Sequence, residues 1–411
     1  MAKKIIKASP DYLPLSFFEF VGHFFKLLTT KKYNHWIDFD NYTNVIGFSC
    51  RSLFEICMEY FDNDDIIIAT TPLHHTSFRN IIEKFVKPEN IHIIKLNKNY
   101  NEIEETPQMD KCDLVVITHL FGQDMDLSRL VELKDKHNCL IIEDRVQGGT
   151  LDIQFSHEIA DIAIYSSGMD KRPVALGGGY MYIRKKHDKL IKKTIEMIDS
   201  LPREKRRKRF TDLIKKIPSF LLCNSKVFSY LFFSTIRLFN FFFKKISTLS
   251  ITKSYRKTNP GFTHFDYMWK PSNALLKSMY KNFDNYEKIE IRFREKYKIF
   301  TECFSPELKS YFFPWYKDSA CLTPYNTILI EEHLVDQFLE FLSKSHISCI
   351  SNPTYKLFNF SYENDARDLK FNNGIAYIPS LANMSKKEIS FLSNKIKEFY
   401  NIISSNKEKK K

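Results

Sequence analysis

Asp144, Gln147, Ser166, Ser167 and Lys171 each stand at or just beyond the end of an apolar run. A lysine amine can condense with a carbonyl, a carboxylate at the end of a buried strand can keep a ring nitrogen protonated, and a hydroxyl can donate to phosphate. Lys171, Asp144 and Ser166 place those three groups in one window, and they are the groups a pyridoxal phosphate enzyme needs. Simpler readings stand beside this one. Asp144 can be a cap after a strand, Ser166 and Ser167 compete for the phosphate role and either can finish a turn, and His119 reads as a structural histidine. Lys171, taken alone, is an ordinary lysine.

Glycine marks the same window. The chain has 11 glycines in 411 residues, against an average usage of roughly 7%. Seven of them fall between residues 119 and 180: Gly122, Gly148, Gly149, Gly168, Gly177, Gly178 and Gly179. Glycine permits positive φ and close backbone approach to a ligand, so its concentration here points to the active site.

The elements that must position these groups are short apolar runs alternating with helical periods. IIIAT (66–70), IHIIKL (91–96), DLVVITHLF (113–121), CLIIED (139–144), IADIAIYSS (159–167) and GGGYMYIRK (177–185) read as strands, with SRLVELKDKH (128–137) as a helix between two of them. Continuous apolar strands separated by helices predict an α/β fold, a mainly parallel sheet covered on both faces, in which ligands bind at strand carboxyl ends. The chain divides into an N-terminal arm (1–43), a large domain (44–262) and a smaller C-terminal α+β domain (263–404), followed by a charged tail (405–411). The large domain includes a basic, Phe-rich insertion at about 186–262.

The formal charge is +13, much of it local to REKRRKR (203–209) and KEKKK (407–411). No zinc-finger spacing or RNA-binding aromatic signature accompanies it, so no nucleic-acid partner is expected. Eight cysteines lie scattered without CxxC pairs, which predicts reduced thiols, no metal site and a cytoplasmic location. The opening MAKKIIKASPDYLP lacks a signal-peptide apolar core. Within 218–247 Lys226 and Arg237 interrupt the apolar run, so a spanning helix is not expected. The segment reads either as a core or interface helix pair or, over 203–247, as a peripheral membrane contact.

Several stretches resemble the DegT/DnrJ/EryC1/StrS family of sugar aminotransferases, of the aspartate aminotransferase fold (fold type I). ITHLFGQDMDLSRLVELKDKHNCLIIEDRVQG (117–148) is similar to the family's His-Leu-Tyr-Gly-Gln turn, amphipathic helix and strand ending Glu-Asp-x-x-Gln. YSSGMDKRPVALGGG (165–179) is similar to its Ser-x-x-x-x-Lys loop followed by a Gly-Gly pair. GFSCRSLFEICMEYF (47–61), DYMWKPSNALLKSMYKNFDNYEKIEIRFREKYKIF (266–300) and IAYIPSLANMSKKEISFLSNKIKEFY (375–400) resemble the early helix start, the helix opening the second half and the closing strand and helix.

The resemblance implies a cofactor, pyridoxal 5′-phosphate, in a homodimer. Lys171 would form the Schiff base and shuttle a proton, Asp144 would pair with the pyridinium nitrogen, and Gln147 would lie beside the ring. Ser166 and the backbone N–H groups around Cys50 and Arg51 would hold the phosphate. His74 or His75, with His75 favoured, would lie over the cofactor face. The implied activity moves an amino group, from glutamate, onto a nucleotide-linked keto-sugar for polysaccharide or glycan synthesis. The alternatives are a pyridoxal phosphate enzyme acting on a non-sugar or membrane-associated substrate, and a structural relative without cofactor. A dehydratase of the family carries His in place of the lysine, and Lys171 argues against it. Three departures stand out: Phe265 and Tyr267 replace an expected Asn and Arg, the late His/Tyr-Pro loop is not recognisable in 347–360, and Arg145 replaces a small residue.

Overall fold

The structure, a computed structural model, describes residues 15–61, 65–98, 100–120, 125–147, 158–168, 171, 174–225, 227, 228, 231, 235, 264–312, 326–345, 347, 349–351, 355–357, 370, 371, 373–378, 381 and 384–408. Gly122, Gly148 and Gly149 lie outside the described residues, as does most of 218–247.

An eight-stranded mixed sheet forms the centre. In spatial order it runs β1 (Trp36–Asp38), β2 (Tyr42–Gly47), β11 (Gly179–Arg184), β10 (Ile162–Ser166), β9 (Leu140–Asp144), β8 (Leu114–Thr118), β3 (Ile68–Thr70) and β5 (Ile91–Ile93). From β10 through β5 every pairing is parallel, while β11, β2 and β1 join antiparallel. The strands are apolar along their length because both faces are covered: every residue of Leu-Val-Val-Ile-Thr in β8 is buried. β1 lies within the stretch expected to be an N-terminal arm, and it belongs to the main sheet instead. At three residues, Trp36–Asp38 is too short to announce a strand, and pairing with β2 holds it there.

On one face lie α2 (Cys50–Tyr60), α3 (Thr76–Phe85) and α5 (Asp188–Ser200), whose Leu53, Phe54, Ile82 and Leu190 pack on Leu114, Val116, Ile142 and Ile164. α5 opens the region read as an insertion, yet it is a core helix. On the other face α4 (Leu130–His137) sets Leu130 and Leu133 against Val115, Ile117 and Ile141. Farther along that sheet, Tyr165, Tyr180 and Tyr182 meet Leu275, Leu276 and Met279 of the long helix Asn273–Glu302.

That helix runs on into a second core, where Phe300 packs with Phe338, Ile378 and Ile396. A small antiparallel sheet, β12 (Asn326–Leu329), β15 (Ile375–Ile378) and β13 (Ile350–Ser351), lies in it beside the closing helix Lys386–Glu408. The two units interlock: β14 (Tyr355–Leu357) pairs with β4 (Leu73–His75), and Phe371 stacks on Tyr100 at 3.9 Å between centroids.

Two further helices, α6 (Arg206–Lys215) and α7 (Ile217–Asn224), follow α5, and the helix α1 (Phe17–Lys26) packs against them and against the long helix. Among the described residues no helix is long and apolar enough to cross a membrane.

Candidate active site

β9 alternates its side chains, so its last residues part company. Asp144 shares the α2 face with Ile142, while Glu143 and Arg145 turn to the other. Arg145 there donates to Glu143 at 2.9 Å through Nε, and His119 Nε2 lies 3.3 Å from the same carboxylate. His119 Nδ1 accepts the Met125 N–H at 3.1 Å. All three side chains are buried. Arg145, unexplained by the resemblance, is thus the counter-charge of a buried glutamate. Its two-residue spacing from Glu143 is the signal that could have found it.

Asp144 is also buried, and Oδ1 accepts the Val146 N–H at 3.0 Å. Among the described residues no other hydrogen bond reaches this carboxylate. Burial pushes its pKa up to about 7, against the pull of the Val146 N–H and of the Lys171 charge. One Asp144 oxygen therefore makes an Asx-type turn, and the other is left for a partner.

Beside it, β10 ends at Ser166, which is on the Asp144 face, and the chain then turns. Gly168 N–H donates to Ser166 Oγ at 3.3 Å. The buried Cys50 thiol is a neighbour of Ser166, and the charges of Asp144, Lys171 and Arg51 all act on that thiol. Desolvation pushes the Cys50 pKa up, and Arg51 opposes it. Ser167 points the other way and is fully buried, its Oγ accepting from Asn282 of the long helix at 3.3 Å. Its carbonyl accepts the Ala175 and Gly177 N–H groups at 3.0 and 3.2 Å, and this closes the loop that carries Lys171.

The glycines bring the start of α2 against that loop. Gly178 donates its N–H to Phe48 O at 2.9 Å and accepts Ser167 N–H at 3.0 Å. Its φ of +91° favours glycine, and a Cβ there would strike Met279. A Cβ on Gly179 would strike the backbone of Cys50. The loop backbone is held further by Arg209, which donates to Ala175 O at 2.8 Å and to Leu176 O at 3.1 Å. Arg209 belongs to the basic run for which a peripheral membrane contact is one expectation, and it is buried, with burial lowering its pKa and Glu204 opposing that. No sequence signal separates it from its neighbours.

Ser49 caps α2 by accepting Ser52 N–H at 3.1 Å, and Ser49 N–H in turn donates to Ser52 Oγ at 3.0 Å. Cys50 and Arg51 then occupy the first turn, where backbone N–H groups have no helical acceptor. The Arg51 guanidinium lies 5.7 Å from the Tyr267 ring centre. Tyr267 donates its hydroxyl to Glu55 on the same helix. The residue at the position of the expected arginine is thus engaged within its own chain.

His74 and His75 separate cleanly. His74 is buried between the carboxyl ends of β3 and β8, 2.7 Å from Thr70 Oγ1 and 2.8 Å from Thr118 Oγ1, and burial lowers its pKa to about 3. His75 is half-buried and caps α3, its Nδ1 accepting Ser77 N–H at 3.2 Å. Gln147 is buried just beyond β9.

The structure therefore gathers Asp144, Ser166, Lys171, Cys50 and Arg51 through proximity or charge at the carboxyl ends of the central strands β9 and β10. Gln147 follows Asp144 in the chain, and His75 stands at the start of α3, committed to its cap. A set of three or more metal-ligating side chains is absent among the described residues. The site offers a buried acceptor, an amine, a hydroxyl and an anion-favouring helix start.

No family model and no curated protein matches the chain. Solved structures do. Spr1654 of Streptococcus pneumoniae, assigned as a sugar aminotransferase, matches in its PLP form with a TM-score of 0.66 and 11% identity, over 96% of this chain and 98% of that one. Helicobacter pylori PseC, an aminotransferase involved in pseudoaminic acid biosynthesis, matches with a TM-score of 0.58 and 14% identity, over 97% and 92%. 3-Amino-5-hydroxybenzoic acid synthase matches with a TM-score of 0.52 and 9% identity, over 86% and 85%. At these identities the likeness establishes the fold, which is that of the fold type I enzymes.

Proposed function

We propose that the chain is a pyridoxal phosphate-dependent aminotransferase that takes an amino group from an amino acid, glutamate, and gives it to a keto-sugar, nucleotide-linked, as a homodimer. The observation that carries this reading is Asp144, a buried carboxylate with a single protein hydrogen bond, at a strand carboxyl end where the Lys171 charge reaches it. Such a carboxylate fits a protonated ring nitrogen. It is costly to keep charged without a cation, and it has an oxygen to spare.

When bound, the cofactor supplies an electron sink for the carbon that carries the amine. The protein supplies the rest. Asp144 holds the proton on the ring nitrogen, because a cation facing it draws its own pKa down again. Lys171 provides the amine that anchors the group and afterwards moves a proton at the substrate carbon. Ser166 and the first-turn N–H groups of α2 take the phosphate, where the helix dipole favours an anion. Buried Gln147, just past Asp144, would lie beside the ring, and His75, at the cap of α3, would stand at the cofactor face.

The purified chain mixed with pyridoxal phosphate should show the visible band of a bound cofactor, and borohydride reduction should leave its mass on the peptide containing Lys171. Lys171→Ala should lose both. A colourless wild-type protein with an unmodified Lys171 sinks the proposal.

Tyr267 supports a second reading of the acceptor. Its engagement with Glu55 removes the expected arginine pattern from the acceptor half, which favours the same cofactor chemistry on a non-sugar carbonyl. Reconversion of the aminated cofactor by keto-sugars, against reconversion only by non-sugar carbonyls, separates the two.

A further inference from the structure

Helix α1 is apolar on both sides. Phe20, His23 and Leu27 face inward, with Phe20 stacked on Phe220 of α7 at 4.3 Å and His23 bonded to Ser278 of the long helix at 3.1 Å. On the opposite side Phe18 is 84% exposed and Phe25, seven residues on, is 68% exposed, with Phe17 and Leu28 open on the flank. A polar flank with Glu19 and Lys26 separates the two sides, and a contiguous exposed apolar patch marks an interaction surface. The patch continues across Phe24, whose ring centre lies 6.0 Å from that of Phe210, onto α6, where Phe210 and Ile214 are exposed too.

Cations lie on the flank of this patch where α1 meets the long helix, and Lys26, Lys216 and Lys281 all act on the inward-facing His23 there. Lys26 of α1, Lys216 between α6 and α7, and Lys277 and Lys281 of the long helix form no ion pair among the described residues. Lys26 lies within the fields of Lys281, Arg209 and Lys277, and Lys216 lies within that of Arg209; in both, burial first and these charges next hold the pKa down at about 8. The acids nearby are spoken for: Glu19 accepts Ser16 N–H at 2.7 Å, and Asp212 faces Lys208 at 3.6 Å. From Leu213 to Phe265 the chain carries nine Lys or Arg and no Asp or Glu.

Two occupants could cover such a face. A second copy packed across a two-fold axis would set the same patch against itself, cation against cation, which opposes association. An anionic bilayer satisfies both features, with aromatic rings entering the acyl boundary and Lys and Arg reaching lipid phosphates. We propose that the face formed by α1, α6 and α7 is a docking surface for an anionic lipid bilayer. The proposal does not depend on the reaction assigned to the strand-end site.

The test is flotation of the full chain with vesicles of phosphatidylcholine alone and with vesicles that also contain phosphatidylserine. The chain should float with the second kind only and detach as salt rises. Phe18→Asp with Phe25→Asp should weaken binding at least about tenfold while leaving circular dichroism unchanged. Lys277→Glu with Lys281→Glu should do the same with every ring in place. Absence of binding, equal binding to both vesicles, or undiminished binding by both double variants overturns the proposal. A light-scattering mass halved by Phe18→Asp with Phe25→Asp, with flotation unaltered, overturns it in favour of a self-interface.

Discussion

A carboxylate pushed up to about 7 by burial is a stability statement about the cofactor-free chain. Folded Asp144 keeps its proton until about pH 7, whereas the unfolded chain releases it near the ordinary value of about 4. Between those values the folded state binds the extra proton, so this contribution is full below about pH 4 and is lost as pH rises through about 7. The loss is on the order of 4 kcal/mol. Asp144→Asn has no proton to lose, so its urea midpoint should gain on the parent's between pH 5 and pH 8; parallel midpoints would refute the burial argument. Glu143 and Arg145 make a second case. Removing one partner, as in Arg145→Met, leaves a buried charge and should cost about 3–5 kcal/mol, and adding Glu143→Leu should recover most of it; failure of the double variant to recover would show that the pair is not what matters. Asp144, Ser166 and Lys171 were legible because each follows an apolar run, and a strand end is a place where side chains leave the core. Glu143 and Arg145 were legible in principle from alternation alone. Ser166 could not be told from Ser167 until β10 fixed which of them turns toward Cys50 and which toward Asn282.

At the scale of elements, the start of α2 and the Lys171 loop act as one piece because glycine lets their backbones touch. Gly178→Ala meets both a positive φ and Met279, and should cost roughly 2 kcal/mol or more in thermal unfolding. Gly179→Ala meets backbone rather than a movable side chain, so it should lower affinity for pyridoxal phosphate more than Gly178→Ala does, as read by titration of the visible band. Equal affinities would separate the α2 start from the anion site. Arg209→Met should cost about 2–4 kcal/mol, since two loop carbonyls and Glu204 lose their donor or counter-charge. An unchanged melting temperature would refute that account. The parallel strands β3, β8, β9 and β10 were readable as apolar runs. β11 was readable too, but its antiparallel direction was not, because direction leaves no trace in the composition of a buried strand, and β1 spans only three residues.

Across the whole molecule, the large sheet and the smaller unit are joined by the long helix, by β4 with β14, and by Phe371 on Tyr100. Tyr100 is held at φ +57°, a conformation that persists only under enforcement by its surroundings. Phe371→Ala should cost about 3–5 kcal/mol and should split one unfolding transition into two when fluorescence and circular dichroism are followed together; coincident curves would show that the other two joints suffice. The interlock was not visible in the sequence, since β14 is three residues long and finds its partner 280 positions upstream. Arg209 carries the consequence farthest. A basic, Phe-rich run after the last strand of a domain invites excision when a minimal catalytic unit is wanted, and a cut at 203 would look safe. It would remove the guanidinium that props Ala175 and Leu176 and the carboxylate of Glu204 that accepts from Ser272 at the head of the long helix. A trimmed chain would keep Asp144, Ser166 and Lys171 and lose the brace on the loop that carries Lys171, so any viable graft or truncation has to begin beyond Leu213.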